Sequence, residues 1–303
     1  SNPASYVTVT STGARIIGSR STCLQAVAQG IPSSQCTAVE GGEVLPLGEH
    51  VTVRVVRWNH SGDVTTPMGR VLYTPVELVK SPTVASASEG LRPGGLRPEG
   101  LRPGTLQDFP NGGGARAYLF TATTAAGPVS WFFSNTGNAD TFLQPAPLDE
   151  TFFQRHELPL DNLVLSPQPQ TSPQEHLRVA LTAAGLDPVA LWIAYSDRRL
   201  GEVVSSVLRP QAFIPHHWDN FFSPFFAGLS FSYVSIAGTD VLATFLKTQG
   251  VTLYPPRQYM DKFTLTMTGV TPIANDEIKA ALGFTTPPPV VSTTGEKIIA
   301  HSD

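Results

Sequence analysis

The chain has few cysteines and neither a long charged run nor a long apolar run. Only two of its 303 residues are cysteine, Cys23 and Cys36, and no C-x-x-C pair occurs, which excludes a zinc cage built from cysteines. The net charge is −4 and no basic block occurs, which argues against a nucleic-acid-binding surface. Glycine, proline or charge interrupts each apolar run before it reaches bilayer length, so the sequence predicts no membrane span.

The two cysteines leave two states open. Cys23 and Cys36 are close enough in sequence to form a disulfide, which is typical of exported proteins. A free cysteine packs like a small hydrophobic residue, so two buried thiols are the alternative. The compartment, cytoplasmic or exported, therefore stays open at the level of the sequence.

The pattern of apolar residues predicts an α/β fold. Hydrophobic residues make up 41% of the chain, enough for a packed core. Val51, Val53 and Val55 alternate with polar residues, as in a half-buried strand. The order strand, helix, strand over 189–215 predicts parallel strands. Further predicted strands are 13–19, a hairpin over 115–135, and 261–269; predicted helices are 21–30, 171–185, 198–210, 238–250 and 275–284.

A short repeat interrupts this order. Residues 90–104 contain three copies of G-L-R-P-G/E, too rich in glycine and proline for a solenoid unit. We interpret 81–114 as an irregular insertion. Its three arginines form either an anion-binding lip or, as is commoner for such loops, a solvated surface.

Three polar clusters follow predicted strands: Asn59–Ser61, Ser134–Thr136 and His216–Asp219. Loops at the carboxyl ends of parallel strands are where open α/β sheets bind their ligands. Imidazole is a common zinc ligand, and a catalytic zinc site needs about three protein ligands and one open position. A lone loop histidine is more often structural, so each cluster taken singly is a weak signal.

Taken in order, these clusters resemble a known family. The stretches GGEVLPLGEHVTVRVVRWNHSGD, VSWFFSNTG and LRPQAFIPHHWDNF resemble the second half of the metallo-β-lactamase superfamily, in particular its L-ascorbate-6-phosphate lactonase-like branch. The resemblance covers about residues 10–285, apart from the insertion. It implies one αββα sandwich domain over 1–285, followed by a C-terminal tail, 286–303. It also implies metal ligands at His60, Asn135 and His217, with zinc (one or two ions), or iron or manganese, as cofactor.

Two departures from the family pattern bear on the site. The signature H-x-H-x-D-H is absent, so the sandwich lacks its N-terminal portion here, and we expect a longer chain or a second polypeptide to complete it. Asn135 stands where the family has a bridging aspartate, and an amide oxygen is a weaker, neutral ligand. This favours one metal ion or none.

The function that the resemblance implies is metal-dependent hydrolysis of a small-molecule lactone, ester or phosphodiester. Asp219 would accept a hydrogen bond from a ligand imidazole, and His216 would carry a proton or contact the substrate. Trp218, between the candidate ligands, is predicted to line the substrate pocket. The rival hypothesis is a non-catalytic relative with a binding or structural role.

Overall fold

A computed structural model describes residues 9, 11–28, 30–59, 76–80, 115–135, 137–144, 163–165, 171–219 and 229–292. Within these ranges the protein is mixed α/β, which confirms the predicted class. The helices are α1 (Arg20–Ala28), α2 (Ala139–Leu143), α3 (Pro173–Ala184), α4 (Arg198–Leu208), α5 (Tyr233–Thr248) and α6 (Asp276–Ala281), with a short 3-10 turn at Ser33–Gln35. The strands are β1 (Ile16–Gly18), β2 (Cys36–Ala38), β3 (Val44–Pro46), β4 (Val51–Trp58), β5 (Val76–Leu78), β6 (Ala115–Thr124), β7 (Gly127–Phe133), β8 (Leu163–Leu165), β9 (Leu191–Tyr195), β10 (Ala212–His216), β11 (Phe231–Ser232), β12 (Thr252–Leu253), β13 (Lys262–Thr266), β14 (Gly269–Ile273) and β15 (Val290–Val291).

The chain divides into two compact units. The first comprises Ser1–Glu43, Val55–Arg116 and Gly137–His176, and the second comprises Val44–Arg54, Ala117–Thr136 and Leu177–Asp303. No helix among the described residues is both long enough and apolar enough to span a bilayer. The predicted domain boundary at residue 285 stays a prediction.

A seven-stranded mixed sheet has the order β12-β10-β9-β7-β6-β4-β3. The predicted hairpin forms as the antiparallel pair β6 and β7. Strands β9 and β10 run parallel, as the strand–helix–strand pattern over 189–215 predicts, and β7 and β12 run parallel to them. The carboxyl ends of these four strands therefore lie at one edge of the sheet.

The core of the second unit follows from the alternation of side chains along β9 and β10. Leu191 and Ala212 lie on one face and cluster with Val270 of the β13–β14 hairpin. Trp192 and Phe213 point to the opposite face, are fully buried, and pack with their ring centroids 4.9 Å apart. Both faces of these central strands are thus covered, which accounts for their nearly continuous apolar sequence.

In the first unit a buried ion pair and a disulfide hold short elements together. The Glu77 carboxylate accepts hydrogen bonds from the backbone N–H (2.8 Å) and the hydroxyl of Ser21, and lies 3.8 Å from the Arg116 guanidinium. These bonds compensate the cost of burying the carboxylate. Cys23 of α1 is disulfide-bonded to Cys36 of β2, so the alternative of two free thiols is wrong.

Helix boundaries agree with the sequence prediction at α3 and disagree at α5. The Ser172 hydroxyl accepts a hydrogen bond from the Glu175 N–H at 3.2 Å, as expected of an N-cap. Helix α5 begins at Tyr233 rather than at the predicted residue 238. Gly238, the predicted first residue, lies inside the helix. The 81–114 insertion lies outside the described residues, and the predicted tail contributes β15, which pairs with β11.

Candidate functional site

The carboxyl edge of the sheet brings together residues far apart in sequence. Phe133 of β7 pairs with Ile193 of β9, and Tyr195 of β9 pairs with His216 of β10. The segments that follow these strands begin at Ser134, Ser196 and His217, so they lie side by side. Two of the three predicted polar clusters thus share one edge. His60, in the remaining cluster, lies outside the described residues.

His216 is oriented by a backbone carbonyl. Its Nε2 lies 2.9 Å from the Ser134 carbonyl oxygen, and its ring stacks on Phe133 with centroids 5.2 Å apart. A carbonyl oxygen only accepts hydrogen bonds, so Nε2 must carry the hydrogen. In the neutral ring the lone pair is therefore on Nδ1, which can accept a proton or coordinate a metal ion.

The surroundings of His216 favour its neutral form. Burial lowers the pKa of His216, and the neighbouring His217 lowers it further, while the hydrogen bond to Ser134 opposes both without overcoming them. The lowered pKa favours the uncharged ring at neutral pH. A neutral imidazole with its N–H held by a carbonyl is the form that ligates metals and accepts protons.

His217 adopts a backbone conformation that residues other than glycine seldom take. Its φ is +67°, in the left-handed region, where histidine is one of the few enriched residues. This conformation costs roughly 1–2 kcal/mol, which neighbouring contacts must offset. The His217 carbonyl accepts a hydrogen bond from the Ser235 hydroxyl at 3.0 Å, and its ring lies edge-on to Tyr195 with centroids 5.6 Å apart.

The imidazoles of His216 and His217 are neighbours at this edge of the sheet. The centroids of His216 and His217 are 6.0 Å apart. Within the described part of the chain, no three His, Cys, Asp or Glu side chains group as a metal site would require.

Asp219 pairs with a tyrosine that the sequence analysis did not single out. Its exposed carboxylate accepts a hydrogen bond from the Tyr259 hydroxyl at 2.6 Å. Burial raises the pKa of Tyr259, and the hydrogen bond to Asp219 and its charge raise it further. The partner found for Asp219 is thus a phenol, and the partner found for the His216 imidazole is a carbonyl. Asn135, which is predicted as a metal ligand, is exposed directly after Ser134.

Trp218 is buried, and its predicted place in the pocket wall stays a prediction. It is 9% exposed, and its ring lies edge-on to Phe231. Its indole N–H donates to the Thr239 hydroxyl at 3.0 Å. The sequence does not indicate which way an aromatic residue between polar neighbours faces. Here the Trp218 side chain is buried, and its indole is hydrogen-bonded to α5.

A separate cavity lies at the opposite edge of the sheet. It has a volume of about 540 Å³ and is formed where α3 and α4 end, before β9 and β10 begin. Arg209 and Asp187, which line it, form an ion pair with each other. The cavity therefore does not adjoin the two histidines.

Neither the models of known protein families nor the curated proteins contain a match to this chain. The resemblance to the metallo-β-lactamase superfamily consequently stays a prediction.

Proposed function

We propose that this protein is a metal-dependent hydrolase of the metallo-β-lactamase type, in which His217 is a metal ligand and His216 accepts a proton. One observation carries the proposal: two imidazoles lie 6.0 Å apart at the carboxyl edge of parallel strands, and one of them has its N–H held by a carbonyl. The ordered resemblance of three sequence stretches to that superfamily supports it independently. Zinc is the expected metal, with iron or manganese as alternatives.

A zinc ion held by His217 would lower the pKa of a bound water and would polarise the scissile carbonyl or phosphoryl oxygen. Nδ1 of His216 is available to accept the proton that the attacking water loses, because Nε2 is occupied by Ser134. Asn135 offers an amide oxygen, a neutral ligand that suits one ion better than two. A lactone, an ester and a phosphodiester are all compatible substrates for such a site.

A second candidate is a metallo-β-lactamase-type protein that binds a partner or ligand without catalysis. The observation that favours it is the absence of a three-ligand group from the described residues, together with asparagine at the bridging position. Metal content separates the two candidates, since a degenerate site has no means of retaining an ion.

The first test measures metal bound to the purified protein before and after titration with zinc. We expect His217→Ala to lose most of the bound metal. His50→Ala is the matched control, because the His50 side chain is 68% exposed in the turn before β4 and touches neither histidine of the site. A folded wild-type protein that retains no metal would refute the hydrolase and leave the non-catalytic candidate.

The second test separates the two histidines. His216→Ala should keep the metal yet slow hydrolysis of a chromogenic lactone, ester or phosphodiester by about 10²–10⁴-fold, the usual contribution of a positioned acid or base. Loss of metal from this variant would contradict the proton-accepting role and make His216 a ligand.

A further inference from the structure

The first two turns of α5 hold the backbone that carries His217. His217, whose φ is left-handed, is followed directly by Trp218. The Trp218 carbonyl accepts a hydrogen bond at 2.6 Å from the N–H of Ser232, the residue just before α5. The His217 carbonyl accepts from the hydroxyl of Ser235, a residue that is only 5% exposed. The carbonyls of two consecutive residues, His217 and Trp218, are thus hydrogen-bonded to residues at the start of α5.

Thr239, one turn further along α5, joins three segments of the chain. Its buried hydroxyl lies 3.0 Å from the Trp218 indole nitrogen, 2.7 Å from the Ser196 hydroxyl and 2.9 Å from the Ser235 carbonyl. An indole N–H only donates and a carbonyl only accepts. Thr239 therefore accepts from Trp218 and has one hydroxyl hydrogen to donate, either to the Ser196 hydroxyl or to the Ser235 carbonyl.

Gly238 allows this close approach. A Cβ at this position would lie 3.0 Å from the Ser196 carbonyl oxygen, which is tighter than nine in ten real Cβ contacts, so the neighbouring backbone would have to shift by a few tenths of an ångström. Glycine avoids this crowding between α5 and the segment that follows β9.

We propose that Ser235 and Thr239 are positioning residues for His217: they hold its backbone left-handed and keep its ring beside Tyr195. The hydroxyl of Ser235 acts on the carbonyl of His217 itself, and Thr239 acts through Trp218. The consequence for metal binding rests on the proposed function, whereas the effect on the His217 conformation does not.

The experiment uses the full chain with Ser235→Ala, Ser235→Thr and Thr239→Val. Ser206→Ala is the matched control, because the exposed Ser206 hydroxyl donates only to the Val203 carbonyl within α4. Two readouts are taken: the NMR signals of the His217 and Tyr195 rings in metal-free protein, and zinc affinity by titration. The overall amide spectrum reports folding.

Ser235→Ala should move the ring signals of His217 and Tyr195 and weaken zinc binding by about 10–100-fold, the usual effect of losing a group that orients a ligand. Ser235→Thr should restore both readouts, and Ser206→Ala should change neither. Thr239→Val should also move the Trp218 indole signal. If Thr239→Val fails to fold, Ser235→Ala, which removes one hydroxyl, decides.

Unchanged His217 signals in folded Ser235→Ala would overturn the positioning role. If the His217 signals move in Ser235→Ala but the wild-type protein binds no zinc, the positioning role is upheld and the hydrolase is refuted. The two proposals therefore fail separately.

Discussion

Ser134 contributes to the site through its side chain and its backbone at the same time. Its hydroxyl accepts a hydrogen bond from the Trp192 indole at 3.1 Å, and its carbonyl accepts from His216 at 2.9 Å. Both Ser134 and Trp192 are fully buried. The Trp192 indole thus holds Ser134 in place at the end of β7, and the Ser134 carbonyl in turn orients the His216 ring.

Ser134→Ala should therefore destabilise the protein by about 1–3 kcal/mol, because it leaves the Trp192 N–H buried without an acceptor. Unfolding in urea measures the change. Ser206→Ala, an exposed serine on α4, should stay within about 0.5 kcal/mol of wild type. A Ser134→Ala protein as stable as this control would show that the indole finds another partner.

At the residue scale, the sequence predicts which side chains reach the edge better than it predicts what they bond to. The strand–helix–strand pattern placed His216 and His217 at the end of a parallel strand, where they are found. The partner of His216 is a backbone carbonyl, and every residue has one, so no pattern of residue types marks it. The predicted partner of Asp219 is an imidazole, because a sequence lists side chains and does not show which of them will meet.

Among the elements, a single carboxylate ties the turn after β12 to α6. Asp261 accepts hydrogen bonds from the backbone N–H groups of Arg257 (2.8 Å) and Gln258 (3.0 Å), and from the Lys279 ammonium at 2.7 Å. Burial alone would raise the pKa of Asp261, but these hydrogen bonds and the charge of Lys279 outweigh it and hold the pKa below its ordinary value. This turn leads from Tyr259, the partner of Asp219, into β13.

Asp261→Asn should lower stability at pH 7 by about 1–3 kcal/mol, since it removes a charged acceptor from three hydrogen bonds. A carboxyl group with a depressed folded-state pKa stabilises the protein above its unfolded-state pKa of about 3.9, and that contribution is lost as the pH falls through the folded-state value. The difference between variant and wild type should therefore shrink below about pH 4.

Urea unfolding at several pH values measures this difference. Asp240→Asn, at an exposed position on α5, is the control and should cost less than about 0.5 kcal/mol at pH 7. A difference that is the same at pH 7 and pH 3 would rule out an ionised Asp261 as its source.

Local patterns predicted most elements but not all of their boundaries or pairings. Capping residues and periodicity located α3 and α4, because those signals lie within a few neighbouring residues. The predicted start of α5 at Gly238 lies after the observed start at Tyr233. Gly238 allows close packing against Ser196 and does not mark the start of the helix. The pairing of β11 with β15 joins segments almost 60 residues apart, and no local signal encodes that contact.

At the scale of the whole molecule, the disulfide links two short elements of the first unit, α1 and β2. A covalent link of this kind restricts the unfolded chain. The bond between Cys23 and Cys36 meets the condition under which the sequence favours an exported protein, and the compartment itself stays a prediction.

Replacing both cysteines by serine should cost about 2–4 kcal/mol, because the bond closes a loop between residues 13 apart and restricts the unfolded chain. The loss should be local to the first unit, since both cysteines lie in it. Hydrogen exchange of the double variant should show faster amide exchange in α1, β1 and β2, while β9 and β10 keep their protection. Wild-type protein treated with a reductant should give the same pattern. Equal loss of protection in β9 and β10 would mean that the two units unfold as one. The disulfide would then stabilise the candidate site as well as the first unit, in which both cysteines lie.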